Sequence, residues 1–398
     1  MLLGPMCLNR HYVAEGVKLY SQETWRMMCG PAGGASLLMA HFDSVIDAYV
    51  DSVRAPNHAV REAGCHCIAE LAVKIAGLPS KPGPHRIAFT HPRVQRLLIA
   101  LRQAFEDESW PVRDVASTAL GCFVRAFPID CEVHKEELLE HWLDQLGDNI
   151  PSMRRNGGAA FAMAAATWDE EWWPQILEAM RETLPLVATQ TSESKVFTDY
   201  TPSGPFSVPK AKPKALDDAE IDVAHTNQPM YSCGSLAPKT LKRDKERRRA
   251  AAQAGGCMNC AEKRAHQPWE ASEGHAHLLT DMAKLARSSA AWHMEDRLAE
   301  VASLLPLLRD AFECSQYAHQ HLYKQRVCER LPELTAALGP EHLHTSLPGL
   351  LQLVSSAAQQ DAHGALQACA QEVLVCWRKA FTAEELQKAS KDEKLPVS

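Results

Sequence analysis

The sequence predicts an all-α protein, a superhelix of stacked antiparallel helix pairs interrupted by a long irregular linker. Three observations predict it. The stretch DESWPVRDVASTALGCFVRAF, residues 107–127, sets Val112, Ala116, Leu120 and Phe123 on one stripe of a 3.6-residue period. The same offsets recur upstream at Val60, Gly64, Ile68 and Leu71, and downstream at Met153, Gly157, Phe161 and Ala164. Each copy follows a second amphipathic segment, so the repeating unit is a pair of helices.

The elements follow in order along the chain. Residues 8–25 read as a helix of an incomplete first unit, with MMCGPAGGAS as its turn; terminal units of such arrays are often atypical. Residues 36–53 carry Phe42, Val45, Ile46, Tyr49 and Val50 at helical spacing and pair with the Val60 copy. A proline- and glycine-rich loop, residues 78–92, separates that unit from the next, whose first helix spans 91–105 (Val94, Leu97, Leu98, Leu101). Its second helix opens at Trp110 and Pro111, where the missing proline N–H has no helical partner to lose. A third unit pairs 136–146 (Leu138, Leu139, Trp142, Leu143) with the Met153 copy. The acidic run Asp169, Glu170, Glu171 suits the positive end of a helix that runs to about 187 and has no evident partner.

After Ala188 the composition changes. Residues 189–270 are rich in proline and poor in large aliphatics, so they cannot bury enough apolar area to offset ordering entropy. Helical periodicity resumes at 273–287, 295–312, 316–338, 343–356 and 363–381, the last pair with Leu366, Ala370 and Leu374 on its second helix. The domain reading is a solenoid over 1–188, an irregular linker over 189–270, a second helical segment over 271–381 and a charged tail over 382–398.

Val60-Arg61, Val112-Arg113 and Met153-Arg154, each after a polar or proline turn and each with a small residue four positions after the first, resemble the HEAT/armadillo-type repeat family. Two helices per roughly 40–47 residues is that family's period. The resemblance implies a right-handed superhelix, with the arginines bonding within their own or a neighbouring unit. It also implies a binding scaffold. Related tubulin-binding arrays use the turn residues as a binding edge, and Trp110 together with Asn57 and His58 occupies such turns. Trp168 and Trp172 add aromatic candidates for a partner.

Composition bounds the function. The 398 residues are 46% hydrophobic and 23% charged, a globular balance, and no apolar run reaches the 18–20 residues of a membrane span. The start, MLLGPMCLNRHYV, lacks a basic segment followed by an apolar core, which argues against a signal peptide. Thirteen cysteines, an odd number, argue for a reduced intracellular chain rather than a disulfide framework. Residues 1–190 carry 17 basic against 23 acidic side chains and residues 271–398 carry 12 against 16, which argues against a nucleic-acid groove in either helical part. The linker alone is basic. Its run Lys239, Lys242, Arg243, Lys245, Arg247, Arg248 and Arg249 reads as a solvated linker helix, a nuclear-import signal or a polyanion contact.

Cys257 and Cys260 form a Cys-x-x-Cys pair, with Cys233 and His266 the nearest residues able to complete a tetrahedral zinc site. A redox pair and ordinary thiols are the alternatives. Three His-x-His pairs, 275/277, 319/321 and 342/344, point to opposite sides of a helix and do not chelate from one face. HEAT-repeat enzymes with di-iron centres use His-Glu dipeptides, and this chain has none. Neither a phosphate-binding glycine loop nor a Gly-x-Ser-x-Gly elbow occurs. The expectation is therefore a non-catalytic cytoplasmic scaffold or adaptor for a protein partner, with nuclear entry through the basic run as an alternative address. It needs no cofactor beyond a possible structural zinc, no membrane and no small-molecule substrate. A tubulin- or cilium-associated protein and a HEAT-repeat lyase or hydroxylase are the alternatives.

Overall fold

In the computed structural model, residues 2–30, 34–76, 92–191, 266–288, 294–360 and 363–392 are described. They form nineteen α-helices: α1 (Leu3–Asn9), α2 (Glu15–Cys29), α3 (Ala35–Ala40), α4 (Phe42–Val53), α5 (His58–Ala76), α6 (Pro92–Phe105), α7 (Trp110–Ala126), α8 (Pro128–Cys131), α9 (Lys135–Gln145), α10 (Pro151–Ala165), α11 (Asp169–Thr183), α12 (Pro268–Ser288), α13 (Met294–Ala302), α14 (Leu305–Glu313), α15 (Gln320–Leu338), α16 (Pro340–Leu343), α17 (Leu347–Gln360), α18 (Gly364–Ala380) and α19 (Ala383–Asp392). Short 3₁₀ turns follow α8 and, at Leu184–Thr189, α11.

The helices lie in two layers. The second helices of successive units, α5, α7, α10, α12, α15 and α18, pack each against the next, and the first helices α4, α6, α9, α11, α14 and α17 cover them. This is an all-α, HEAT-like solenoid. The stripes that define the repeat are its core: Val112, Ala116, Leu120 and Phe123 are buried, as are Ile68, Leu71, Met153, Phe161, Ala164, Leu366 and Ala370. Second helices approach closely where a side chain is missing. A Cβ on Gly121 of α7 would stand 2.8 Å from the Ala160 carbonyl of α10, and one on Gly158 of α10 would stand 3.2 Å from the Leu278 nitrogen of α12.

Units are also tied by buried polar links. Trp142 Nε1 donates to Ser117 Oγ (2.9 Å), whose hydroxyl donates to Gln145 Oε1 (2.7 Å). A similar link recurs downstream, where Trp377 Nε1 donates to Thr335 Oγ1 (2.9 Å). Each is a buried group satisfied within the protein, as a dry core requires.

Several boundaries differ from the sequence expectation. The segment 36–53 breaks at His41, whose φ of −122° and ψ of 29° leave the helical region. The segment 295–312 splits because Pro306, in the first turn of α14, cannot donate to the turn before it and crowds that turn's carbonyl. The charged tail expected over 382–398 begins with α19. There Glu385 Oε2 accepts from the Thr382 N–H (2.7 Å) and Thr382 Oγ1 accepts from the Glu385 N–H (3.3 Å), a capping box. The 78–91 part of the loop expected at 78–92 lies outside the described residues.

The largest correction concerns α11. It was expected to lack a partner, and its partner is α12, which enters the stack beside α10 on one side and α15 on the other. Residues 192–265 fall in sequence between the two helices of this fourth pair. The two flanks meet at the base of the insertion, where Gln190 Nε2 donates to Gln267 Oε1 (3.1 Å).

Candidate functional site

The turn edge is held by an arginine ladder. Arg61 donates to the Ala55 and Pro56 carbonyls of its own turn (3.0 and 3.1 Å) and grips Asp107 of the next turn through Nε and Nη2, both at 2.7 Å. Arg113 repeats the pattern, donating to the Asp107 carbonyl (2.9 Å) and pairing with Asp148 (3.4 Å). Each aspartate also shapes its own turn, since Asp107 and Asp148 accept from the N–H two residues on, both at 2.8 Å.

Arg154 is the third rung, and it ends differently. It donates to the Asp148 carbonyl (2.7 Å), but the carboxylates it grips lie on a helix rather than in a turn. Its Nε and Nη2 instead donate to Glu273 Oε1 (3.1 and 2.9 Å), with Glu270 at 3.8 Å, both on α12. The guanidinium also lies over the Trp269 ring, 5.2 Å from its centroid. All of residues 269–283 except Ala271 are buried, so α12 is a polar helix enclosed on every side. Asp281 pairs with Arg330 (2.5 Å), Ser272 Oγ donates to the Leu184 carbonyl (2.8 Å), and His277 stands 3.5 Å from Glu273. Burial pushes the Glu273 carboxyl up, but Arg154, His277 and Arg326 outweigh it and hold it below the usual range. Burial lowers His275 to about 4, so it is neutral. Glu273, His277, Arg326 and Arg330 line a cavity of about 10 Å³, the space of one water. This cluster locks three units together and is closed to any larger ligand.

The accessible counterpart lies on α5, α7 and α10. Three positions in each row share the same offsets from the stripe residue, Glu62, His66 and Val73; Asp114, Thr118 and Arg125; Arg155, Ala159 and, just past the end of α10, Ala166; Ala69, Cys122 and Met163 lie between the last two of each row. All twelve are half-buried or exposed, although α5, α7 and α10 pack side by side. They form an open face of three aligned rows, joined by Asp114 accepting from Asn156 Nδ2 (2.9 and 3.1 Å) and by Cys122 against Met163 (3.6 Å between sulfurs). Its formal charge overstates its polarity. Burial raises the Glu62 carboxyl, and burial aided by Asp148 and Glu62 raises Asp114 to about 7. Burial, with His11 and Lys18 beside it, lowers His66 to about 4. The middle of the face is small and weakly polar.

Asn57 Oδ1 accepts from the Ala59 N–H (2.9 Å), shaping its turn. His58 is held below its ordinary pKa by burial and by Arg61. Trp110 is half-buried in the first turn of α7. The other two partner candidates, Trp168 and Trp172, are buried; their ring centroids lie 4.7 Å apart, and Trp172 meets Phe161 and Trp142 edge-on. Of the proposed zinc ligands, Cys233, Cys257 and Cys260 lie outside the described residues, as does the basic run 239–249. His266 is exposed against Gly147, 3.8 Å from Asp144. Among the described residues no three His, Cys, Asp or Glu side chains are gathered as a metal site. The sequence reading missed the open face because its residues share no chemical type. Their only signal is a common offset from the buried stripe.

No family model matches the chain and no curated protein matches it. Among solved structures it is similar to the karyopherin Kap121p bound to the extreme C-terminus of the protein phosphatase Cdc14p, with 12% identity and a TM-score of 0.31. It is likewise similar to Kap121p bound to the SUMO protease Ulp1p, with 12% identity and a TM-score of 0.30. Both matches cover 98% of this chain, which spans about half of the karyopherin, 51% and 50% respectively. The class of protein is that of the HEAT-like solenoid described above.

Proposed function

We propose that the protein is a non-catalytic scaffold that holds a protein partner on the open face of α5, α7 and α10. One observation carries this reading. Three consecutive second helices present aligned, accessible rows at Glu62, Asp114 and Arg155 and beyond, and the next second helix, α12, is enclosed. A surface three helices wide, with small and weakly polar residues at its centre, suits an extended protein segment better than a small molecule, which needs a concave pocket. The turn-end acids Glu62 and Asp114, both with raised pKa, and the scattered cations Arg125 and Arg155 likewise suit a peptide surface more than a polyanion.

The test is affinity purification of the intact chain, compared with Thr118→Arg/Ala159→Arg. Both substituted positions are exposed, so the fold is expected to survive, as an unchanged melt would verify. The account expects the double variant to lose the partner that the parent chain retains, and Trp110→Ala to keep it. Loss with Trp110→Ala and retention with the double variant would move the partner to the turn edge, as in the tubulin-type reading.

A further inference from the structure

Helix α2 buries only Ser21 and Trp25, at the spacing expected of a helix resting on the solenoid by one side. On the adjoining side Val17, Tyr20, Thr24 and Met27 follow one another at intervals of three, four and three residues, with Met28 beside them. Tyr20 is 76% exposed and Met27 71%, and Val17 and Met28 are exposed as well. That spacing is the seam by which one helix packs along another. We propose that this seam is a self-association face, on which α2 of a second copy packs antiparallel about a twofold axis level with residue 22.

Size and charge select a second copy. An antiparallel pair in that register sets Tyr20 against the partner's Thr24, and Met27 against the partner's Val17. Every layer then joins a large side chain to a small one, as close packing requires. Thr24 Oγ1 donates to the Tyr20 carbonyl (2.9 Å), so its hydroxyl needs no partner in the seam. A parallel pair would instead set Tyr20 against the partner's Tyr20. The charges of α2 cancel within the helix, Glu15 with Lys18 (4.0 Å) and Glu23 with Arg26 (2.8 Å). The chain as a whole carries −7, so this neutral strip is a place where two copies meet without like-charge repulsion. The contact is isologous and closes at two copies.

Light scattering on the full chain across the micromolar range tests it. The mass is expected to rise from one chain to two with concentration. Tyr20→Glu/Met27→Glu should stay at one chain with an unchanged melt, because both side chains are exposed. Thr24→Tyr alone should abolish the dimer by setting tyrosine against tyrosine, and Tyr20→Thr/Thr24→Tyr should restore it, because the layer regains one large and one small member. A parent chain that keeps the mass of one copy at every concentration would overturn the proposal. So would a dimer that survives Thr24→Tyr, or an exchange of the two residues that fails to restore it.

Discussion

Burial, reinforced by Asp148 and Glu62, pushes the Asp114 carboxyl up to about 7, although Asn156 and Arg113 pull the other way. An acid whose pKa is raised on folding contributes most at low pH. As pH rises from about 4, where the unfolded chain ionises, to about 7, the folded state loses ground. Asp114→Asn removes that titration while its amide oxygen still accepts from Asn156. The substitution should change stability little at pH 4 and raise it at pH 8 by on the order of 1–3 kcal/mol. Thermal melts at the two pH values check this, and equal shifts at both would contradict it. Arg154 and Arg113 provide a second comparison at this scale. Arg154→Ala takes the arginine from two enclosed carboxylates, Glu270 and Glu273, and should cost roughly 3–5 kcal/mol. Arg113→Ala, at a rung that water reaches, should cost only about 1 kcal/mol. Chemical denaturation of both variants separates the outcomes, and similar losses would show that Arg154 is solvated.

Among the elements, α19 shows what local chemistry alone decides. Thr382 and Glu385 close its first turn reciprocally, so Thr382→Ala should cost about 1 kcal/mol and fray the helix, visible as faster amide exchange over 383–392. Exchange rates that do not change would mean that burial of Ala389, not the cap, holds the helix. The capping box was written in the sequence as Thr382-Ala-Glu-Glu385, and a charged composition masked it. The paired helices α4 to α10 were legible because Val60, Val112 and Met153 repeat one pattern at close range. The partnership of α11 with α12 was not legible. Their contact spans the whole insertion, and α12 carries Glu270 and Glu273 in place of the Val-Arg signature, with nothing in the sequence to join them to Arg154. Trp168 and Trp172 were ambiguous for the opposite reason. Aromatic residues beside a turn serve a partner or a core equally well in sequence, and only the Phe161 and Trp142 rings decide for the core.

For the whole molecule, the account makes α12 the keystone of one continuous stack, fed by residues far apart in the chain. Its neighbours α10 and α11 precede the insertion, α13 and α15 follow it, and Trp173 reaches across to Glu300 (2.6 Å) as Gln316 reaches back to the Val187 carbonyl (3.1 Å). Since stacked units depend on their nearest neighbours, the parts on either side of the insertion should unfold together. A specific protease site placed within residues 200–250 of the full chain tests this most directly. After complete cleavage the account predicts one particle of the parent mass in size-exclusion chromatography, melting in a single transition. Two separable fragments, each with its own melt, would contradict it and return the molecule to two independent arrays.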